Sequence, residues 1–331
     1  MGVGIADIAY ALPESVTPSN EIVEAFGFDE SFIVGKLGIE SRHHLAPGET
    51  VSGLAAQAVE AVLKSAGIDR SRIGLLIVVT QTPDYCLPHV SAIVQGQLGL
   101  PRDSLVFDMS LGCSGYVIGL ATAKSLMKSE RIDFGVLVTV DAYSRLVDKT
   151  DRETAPLFGD AAAATLLSRS PQYAIGSFSY GSDGARHEDL IAHGTGSTLE
   201  PRQPLHMDGR GIYTFALREV PNSIKLCLAL NSVDLDSVQK VVLHQANNFM
   251  VGSIGQRLGV EADKMVLDIR DIGNTTSSSI PIAIKRSCLE LSPLPSPVLL
   301  SGFGVGLSWA TTILFAAEGG HHESRVTRRD P

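Results

Sequence analysis

Three side chains in this 331-residue chain have the type and setting for thioester chemistry. Cys113 stands in Gly112-Cys-Ser-Gly115, after the apolar run Leu105-Val-Phe107 and before a helical pattern from Tyr116 to Met127. A turn at a helix N-terminus meets unpaired N–H groups and the positive end of the helix dipole. A thiol there is expected to have a lowered pKa and to be a nucleophile; the other reading is a small buried core cysteine. His244 follows Val241-Val-Leu243, which puts it at the end of a buried strand, as a catalyst or as a hydrogen-bonded core residue. Asn274 lies in Gly273-Asn-Thr-Thr-Ser-Ser-Ser279, a strand-to-helix turn, where asparagine also serves as a helix N-cap. Together a thiolate could accept an acyl group while the imidazole and amide N–H groups hold a developing oxyanion.

The elements around these residues repeat. Leu76-Ile-Val-Val-Thr-Gln81 resembles Lys240-Val-Val-Leu-His-Gln245, with the glutamines in register. Gln97-Leu-Gly-Leu100 resembles Arg257-Leu-Gly-Val260, and Val106-Phe-Asp-Met109 resembles Val266-Leu-Asp-Ile269. Cys113 follows Gln81 by 32 residues, and Asn274 follows Gln245 by 29. Four matches in one order predict two copies of a strand–helix–strand unit, 1–170 and 171–331, divided near the polar stretch Ser168–Tyr173. Active sites of α/β sheets lie beyond the carboxyl ends of the strands, so Cys113 of one copy should face His244 and Asn274 of the other.

Strands are expected at Val3–Leu12, Ile73–Thr80, Phe134–Val140 and Pro297–Ser301. Helices are expected near Glu21 (capped by Ser19 or Asn20), at Val51–Ala66 before Gly67, and at Val90–Leu98 before Gly99.

Composition narrows the function. A net charge of −9 and no basic run interleaved with aromatics argue against nucleic-acid binding. No apolar run approaches the ~20 residues of a membrane span, and the N-terminus has no basic leader. Cys86, Cys113, Cys227 and Cys288 are widely spaced, which fits a reducing cytoplasm and excludes a zinc ribbon or disulfide framework. The pairs His43-His44 and His321-His322 lack metal-site spacing and are expected on the solvated surface.

From Val3 to about Phe315 the sequence resembles β-ketoacyl-acyl-carrier-protein synthase III, of the thiolase superfamily. The matching stretches are Leu12-Pro13, Gly38-Ile-Glu-Ser-Arg-His43, Gly112-Cys-Ser-Gly115, Asp151-Arg152, Phe158-Gly-Asp160, Met207-Asp-Gly-Arg210, His244-Gln-Ala-Asn247, Gly273-Asn-Thr-Thr-Ser-Ser278 and Gly302-Phe-Gly-Val-Gly306. The resemblance implies a five-layer α-β-α-β-α fold and a cytoplasmic homodimer. It also implies Claisen condensation of an acyl group, taken from acyl-CoA onto Cys113, with a malonyl thioester on CoA or a carrier protein. His244 and Asn274 would stabilise the enolate left by decarboxylation, and the backbone N–H groups of Cys113 and Val305 would form the oxyanion hole. No metal or redox cofactor is implied; coenzyme A enters as a thioester substrate.

By the same resemblance Phe32 stands at the position of an adenine-stacking indole and Arg152 at its arginine partner, with Lys36 and Asn247 also on the CoA side. Phe249 replaces a carrier-docking arginine, leaving Arg257, Arg218 or Lys225 for that role. Leu87 matches a residue that reaches across the dimer into the partner's acyl pocket, and Ala161 and Ala163 replace glycines. Three rivals remain at this stage: acyl transfer to a small nucleophile on the same fold, a papain-like Cys-His-Asn hydrolase, and a silent binding subunit.

Overall fold

Nine apolar segments become the strands of one sheet. They are β1 (Gly4–Ala11), β2 (Ile73–Val79), β3 (Leu105–Met109), β4 (Phe134–Asp141), β5 (Ala161–Ser168), β6 (Tyr173–Ser182), β7 (Lys240–Leu243), β8 (Val298–Gly304) and β9 (Ser308–Ala316). The structure, a computed structural model, describes residues 2–317 except Glu30, Thr195 and Leu199; the His321-His322 pair lies outside the described residues. The order across the sheet is β7-β8-β9-β6-β1-β5-β4-β2-β3. β2 is flanked by β3 and β4 in parallel, and its unbroken β-branched and leucine run is what burial on both faces demands.

The two ends of this order have the same pattern. In the first, β2 pairs parallel with β4, β4 antiparallel with β5, and β5 antiparallel with β1. In the second, β7 pairs parallel with β8, β8 antiparallel with β9, and β9 antiparallel with β6. The two sets join through a short ladder, Gly4 opposite Ala174 and Ile5 opposite Tyr173. The counterpart of β3, expected over Val266–Ile269, is reduced to a single parallel bridge between Val241 and Met265. The backbone N–H of Asp268 is taken by the Gln245 side chain at 2.8 Å, so it is withheld from a strand ladder.

Five layers result. Helices α2 (Val51–Ala66) and α3 (Val90–Leu98) cover the β1–β5 set, with α2 on β1, β4 and β5. α4 (Gly115–Ser129) and α7 (Ser279–Ile284) lie in the middle, α4 touching β2 and β4 as well as β8 and β9. α5 (Gly209–Asn231) packs on β6, β8 and β9 with α6 (Asn248–Leu258) beside it. α2 and α3 end where the sequence places them, Gly67 and Gly99 adopting the left-handed conformation that closes each helix.

Two local expectations are corrected. α1 (Ser19–Phe26) starts behind Pro18 with no side-chain cap, because the Ser19 hydroxyl donates to the Ile39 carbonyl instead. His43 and His44 are not free surface residues: they sit half-buried in a strand paired with Ser15–Pro18, bonded to the Pro13 carbonyl and the Thr17 hydroxyl. Among the described residues no helix is long and apolar enough to cross a membrane.

The joint between the two sets is tight. A Cβ on Gly4 would lie 2.1 Å from the Tyr173 carbonyl oxygen and 2.9 Å from Pro171. Gly4→Ala is expected to lower unfolding free energy in urea by about 2 kcal/mol or more, since neither backbone can yield cheaply. An unchanged midpoint would show that the joint does not carry the fold.

Candidate active site

The turn that carries Cys113 is held by glycines that let neighbouring side chains approach. A Cβ on Gly112 would lie 2.5 Å from Gln81 Oε1 and 2.6 Å from Val305, and one on Gly115 would lie 2.5 Å from Val79. Cys113 is therefore set at the N-terminal end of α4 with 5% of its surface exposed. The backbone N–H groups of Cys113 and Val305 both act on its sulfur and favour the thiolate. Burial nevertheless pushes the thiol up to about 12, and the Asp141 carboxyl adds to the push. The expectation of a lowered pKa is thus reversed: desolvation of the thiolate outweighs the two N–H groups.

β8 is the wall shared by the cysteine and the histidine. A Cβ on Gly302 would meet the Cys113 carbonyl oxygen at 2.7 Å, and one on Gly304 would meet Cys113 Sγ at 3.0 Å. On the same strand Ser301 accepts the His244 backbone N–H at 2.8 Å, and the Phe303 ring stands edge-on to the imidazole. His244 Nδ1 lies 2.9 Å from the Ser279 hydroxyl, whose oxygen is in turn 2.9 Å from the Thr276 carbonyl, so the ring is held against the Asn274 turn. Burial drops the imidazole pKa to about 3, so His244 is neutral at physiological pH.

Asn274 is fixed at both backbone atoms, its N–H on the Leu157 carbonyl and its C=O accepting from Gly159. Its Oδ1 accepts the Thr276 N–H at 3.0 Å, so the amide is oriented and Nδ2 is the free end among the described residues. The helix-cap alternative is set aside, since the capped donor belongs to this turn itself. Thr276 and Ser277 next anchor the turn on Asp141, at 2.6 and 2.9 Å to its Oδ2. Asp141 ends β4, fully buried, and its Oδ1 also accepts the Gln81 N–H at 2.8 Å. Burial raises this carboxyl to about 6 against those hydrogen bonds.

Among the other predicted residues, Phe32 stacks on Phe28 with centroids 5.4 Å apart, and the Arg152 guanidinium lies 4.7 Å from the centroid of that same ring. Phe28 therefore contacts both residues expected to enclose adenine. Lys36 Nζ sits 4.9 Å from the Phe249 centroid and 5.6 Å from that of Phe32. Asn247 caps α6, its Oδ1 accepting the Met250 N–H at 2.8 Å. Leu87 is 80% exposed, directed away from its own chain's core. Ala161 and Ala163 pack with Ile272 and Ile282. Sequence reading missed Phe28, Ser279 and Asp141; of these Asp141 was legible, as a charge closing the buried run Val136–Val140.

A buried cysteine, histidine and asparagine on a duplicated five-layer fold define a thiolase-like condensing enzyme. The family model described as 3-oxoacyl-[acyl-carrier-protein] synthase III matches residues 107–184, and its C-terminal companion matches 228–315. The chain is 34% identical to a β-ketoacyl-[acyl-carrier-protein] synthase III of Streptococcus pneumoniae, over 94% of this chain and 98% of that one. It superposes on a crystal structure of a 3-oxoacyl-(acyl-carrier-protein) synthase III with TM-score 0.89 at 31% identity, covering 96% and 100% of the two chains. The priming β-ketosynthase of the R1128 polyketide pathway gives TM-score 0.86 at 27% identity, over 95% and 96%. The chain belongs to the 3-oxoacyl-[acyl-carrier-protein] synthase III family.

The neutral imidazole has a consequence for stability. His244 must stay uncharged when folded but protonates in the unfolded chain below about pH 6.5. Its stabilising share is therefore full above that pH and lost as pH falls toward the folded value. The difference in unfolding free energy between wild type and His244→Gln should be constant above pH 7 and shrink by roughly 1 kcal/mol per pH unit between 6 and 4. A difference independent of pH would mean that His244 is not held neutral.

Proposed function

We propose that the chain condenses an acyl group carried on Cys113 with a malonyl thioester, releasing CO2 and giving a β-ketoacyl thioester. The carrying observation is that one strand and one turn hold the three groups. The glycines of β8 pack on Cys113 while Ser301 of that strand accepts the His244 N–H, and Asn274 is oriented by Thr276 in the turn whose Ser279 holds the imidazole.

In the first half-reaction Cys113 Sγ forms a bond to the acyl carbon while the carbon–sulfur bond of the donor breaks. The thiol proton ends on the departing thiol, and the Cys113 and Val305 N–H groups take the negative charge on the acyl oxygen. Losing one such donor costs about 3 kcal/mol of barrier. In the second, the malonyl carboxylate leaves as CO2 and its electron pair becomes an enolate, whose oxygen accepts from His244 and Asn274. The enolate carbon then attacks the acyl carbon and the Cys113 thiolate departs. A neutral histidine suits this role, since its task is to donate a hydrogen bond and not to exchange charge.

The donor is read as acyl-CoA, with Arg152, Phe32, Lys36 and Asn247 on its path, and the extender as malonyl-CoA or a malonyl carrier protein meeting exposed Arg257 and Lys225. The two halves, 1–170 and 171–331, share the site between them. Leu105 is exposed on β3, the strand at one end of the sheet, and Tyr85 and Leu87 are large and exposed, which supports a homodimer, read as cytoplasmic from the cysteine usage, with Leu87 entering the partner's acyl cavity.

Intact-mass analysis with an acyl-CoA is expected to show one acyl adduct in wild type and none in Cys113→Ala. His244→Ala and Asn274→Ala should still acylate but release CO2 from malonyl thioester at least about a hundredfold more slowly. Undiminished CO2 release in both would favour acyl transfer to another nucleophile.

Adenine entering between Phe32 and Arg152 has to displace the Phe28 ring. Phe28→Ala is expected to lower KM for acyl-CoA severalfold at unchanged kcat; a raised KM would assign Phe28 itself to nucleotide stacking.

A further inference from the structure

Beside the nucleophile turn lies a cavity of about 300 Å³ with apolar walls such as Leu190 and Leu205 and an unexpectedly polar side made by Gln81, Ser110, Tyr143 and His187. Val305 also lines it, the residue whose N–H acts on Cys113 Sγ, and Gln81 Oε1 packs against the Cα of Gly112. The polar side is thus close to the first carbons of anything esterified to Cys113. At about 30 Å³ per water-sized group the cavity suits a short acyl chain.

The Gln81 amide is aimed and half used. The Tyr143 hydroxyl donates to Oε1 at 2.6 Å, and Nε2 has no hydrogen-bond partner among the described residues. Its counterpart in the other copy is spent entirely on backbone. Gln245 Nε2 donates to the Leu243 and Val266 carbonyls at 2.7 and 3.2 Å, and Oε1 accepts the Asp268 N–H at 2.8 Å. Gln245 is therefore a structural clamp, whereas Gln81 presents a fixed donor to a ligand cavity. An alkyl chain pressed on that donor would strip its water and return nothing, and an acyl oxygen would satisfy it.

We propose that this cavity selects a short oxygenated acyl group, a hydroxyacyl or ketoacyl chain whose oxygen near the second or third carbon accepts from Gln81 Nε2, with Tyr143 holding the amide in place. The inference rests on Cys113 as the acyl acceptor. Among the described residues no Lys or Arg side chain lines the cavity, so the favoured oxygen is neutral and not a carboxylate. In the loading step the Cys113 sulfur–acyl bond forms as the CoA sulfur–acyl bond breaks, and the thiol proton leaves on CoA.

The test compares 3-hydroxybutyryl-CoA with butyryl-CoA, which differ by one oxygen, by following Cys113 acylation on the intact mass. Wild type should load the hydroxyacyl group at least about tenfold faster, the discrimination a site built to hydrogen-bond an oxygen exerts. Gln81→Leu should invert the order, loading butyryl faster than wild type does and 3-hydroxybutyryl more slowly. Tyr143→Phe should shrink the preference by freeing the amide. Equal or faster butyryl loading by wild type, or an unchanged preference in Gln81→Leu, overturns the inference while leaving Cys113 as acceptor. Failure of both thioesters to label Cys113 overturns the acyl-acceptor reading and this one with it.

Discussion

The site depends on one buried carboxylate. Asp141, with no access to water, gathers the Gln81 N–H and the Thr276 and Ser277 hydroxyls around a single group, so the end of β2 and the Asn274 turn are fixed relative to each other. Burying a charge is unfavourable unless its lone pairs are satisfied, and here three short hydrogen bonds offset much of that cost. The remainder shows as a carboxyl pulled up to about 6. The same negative charge bears on Cys113 and opposes thiolate formation. Geometry is secured at the expense of resting thiolate character at Cys113.

The side chains of the site share a logic. Each polar side chain of the site is anchored within the protein at one end: His244 by Ser279, Asn274 by Thr276, Gln81 by Tyr143. Amides and neutral imidazoles are suited to this because they carry two polar ends at fixed separation. Anchoring removes rotamer freedom before substrate arrives, which is the substance of preorganisation.

Much of this was legible in the sequence. The β-branched run of β2 and the glycines after α2 and α3 gave those elements to within a residue, because chain chemistry alone decides them. The paired glutamines pointed to the repeated pairing pattern of the sheet, and the Cys, His and Asn settings to the residues on which the proposed function rests. What stayed hidden depends on tertiary neighbours. The start of α1 is set by the distant Ile39 carbonyl, and the lost strand at Val266–Ile269 by a side chain seizing the Asp268 N–H. The direction of the Cys113 shift turns on burial, which no spacing reveals. Gln81 and Gln245 look equivalent in sequence and differ only in what surrounds them.

The buried, protonated Cys113 also bears on oxidative damage. Peroxide attacks thiolates and scarcely touches thiols, so susceptibility follows thiolate character and access. A cysteine 5% exposed and shifted to about 12 offers neither, and Cys86, the exposed cysteine of the chain, stands as the more accessible target. Burial thus shields Cys113 from the oxidants that reach Cys86.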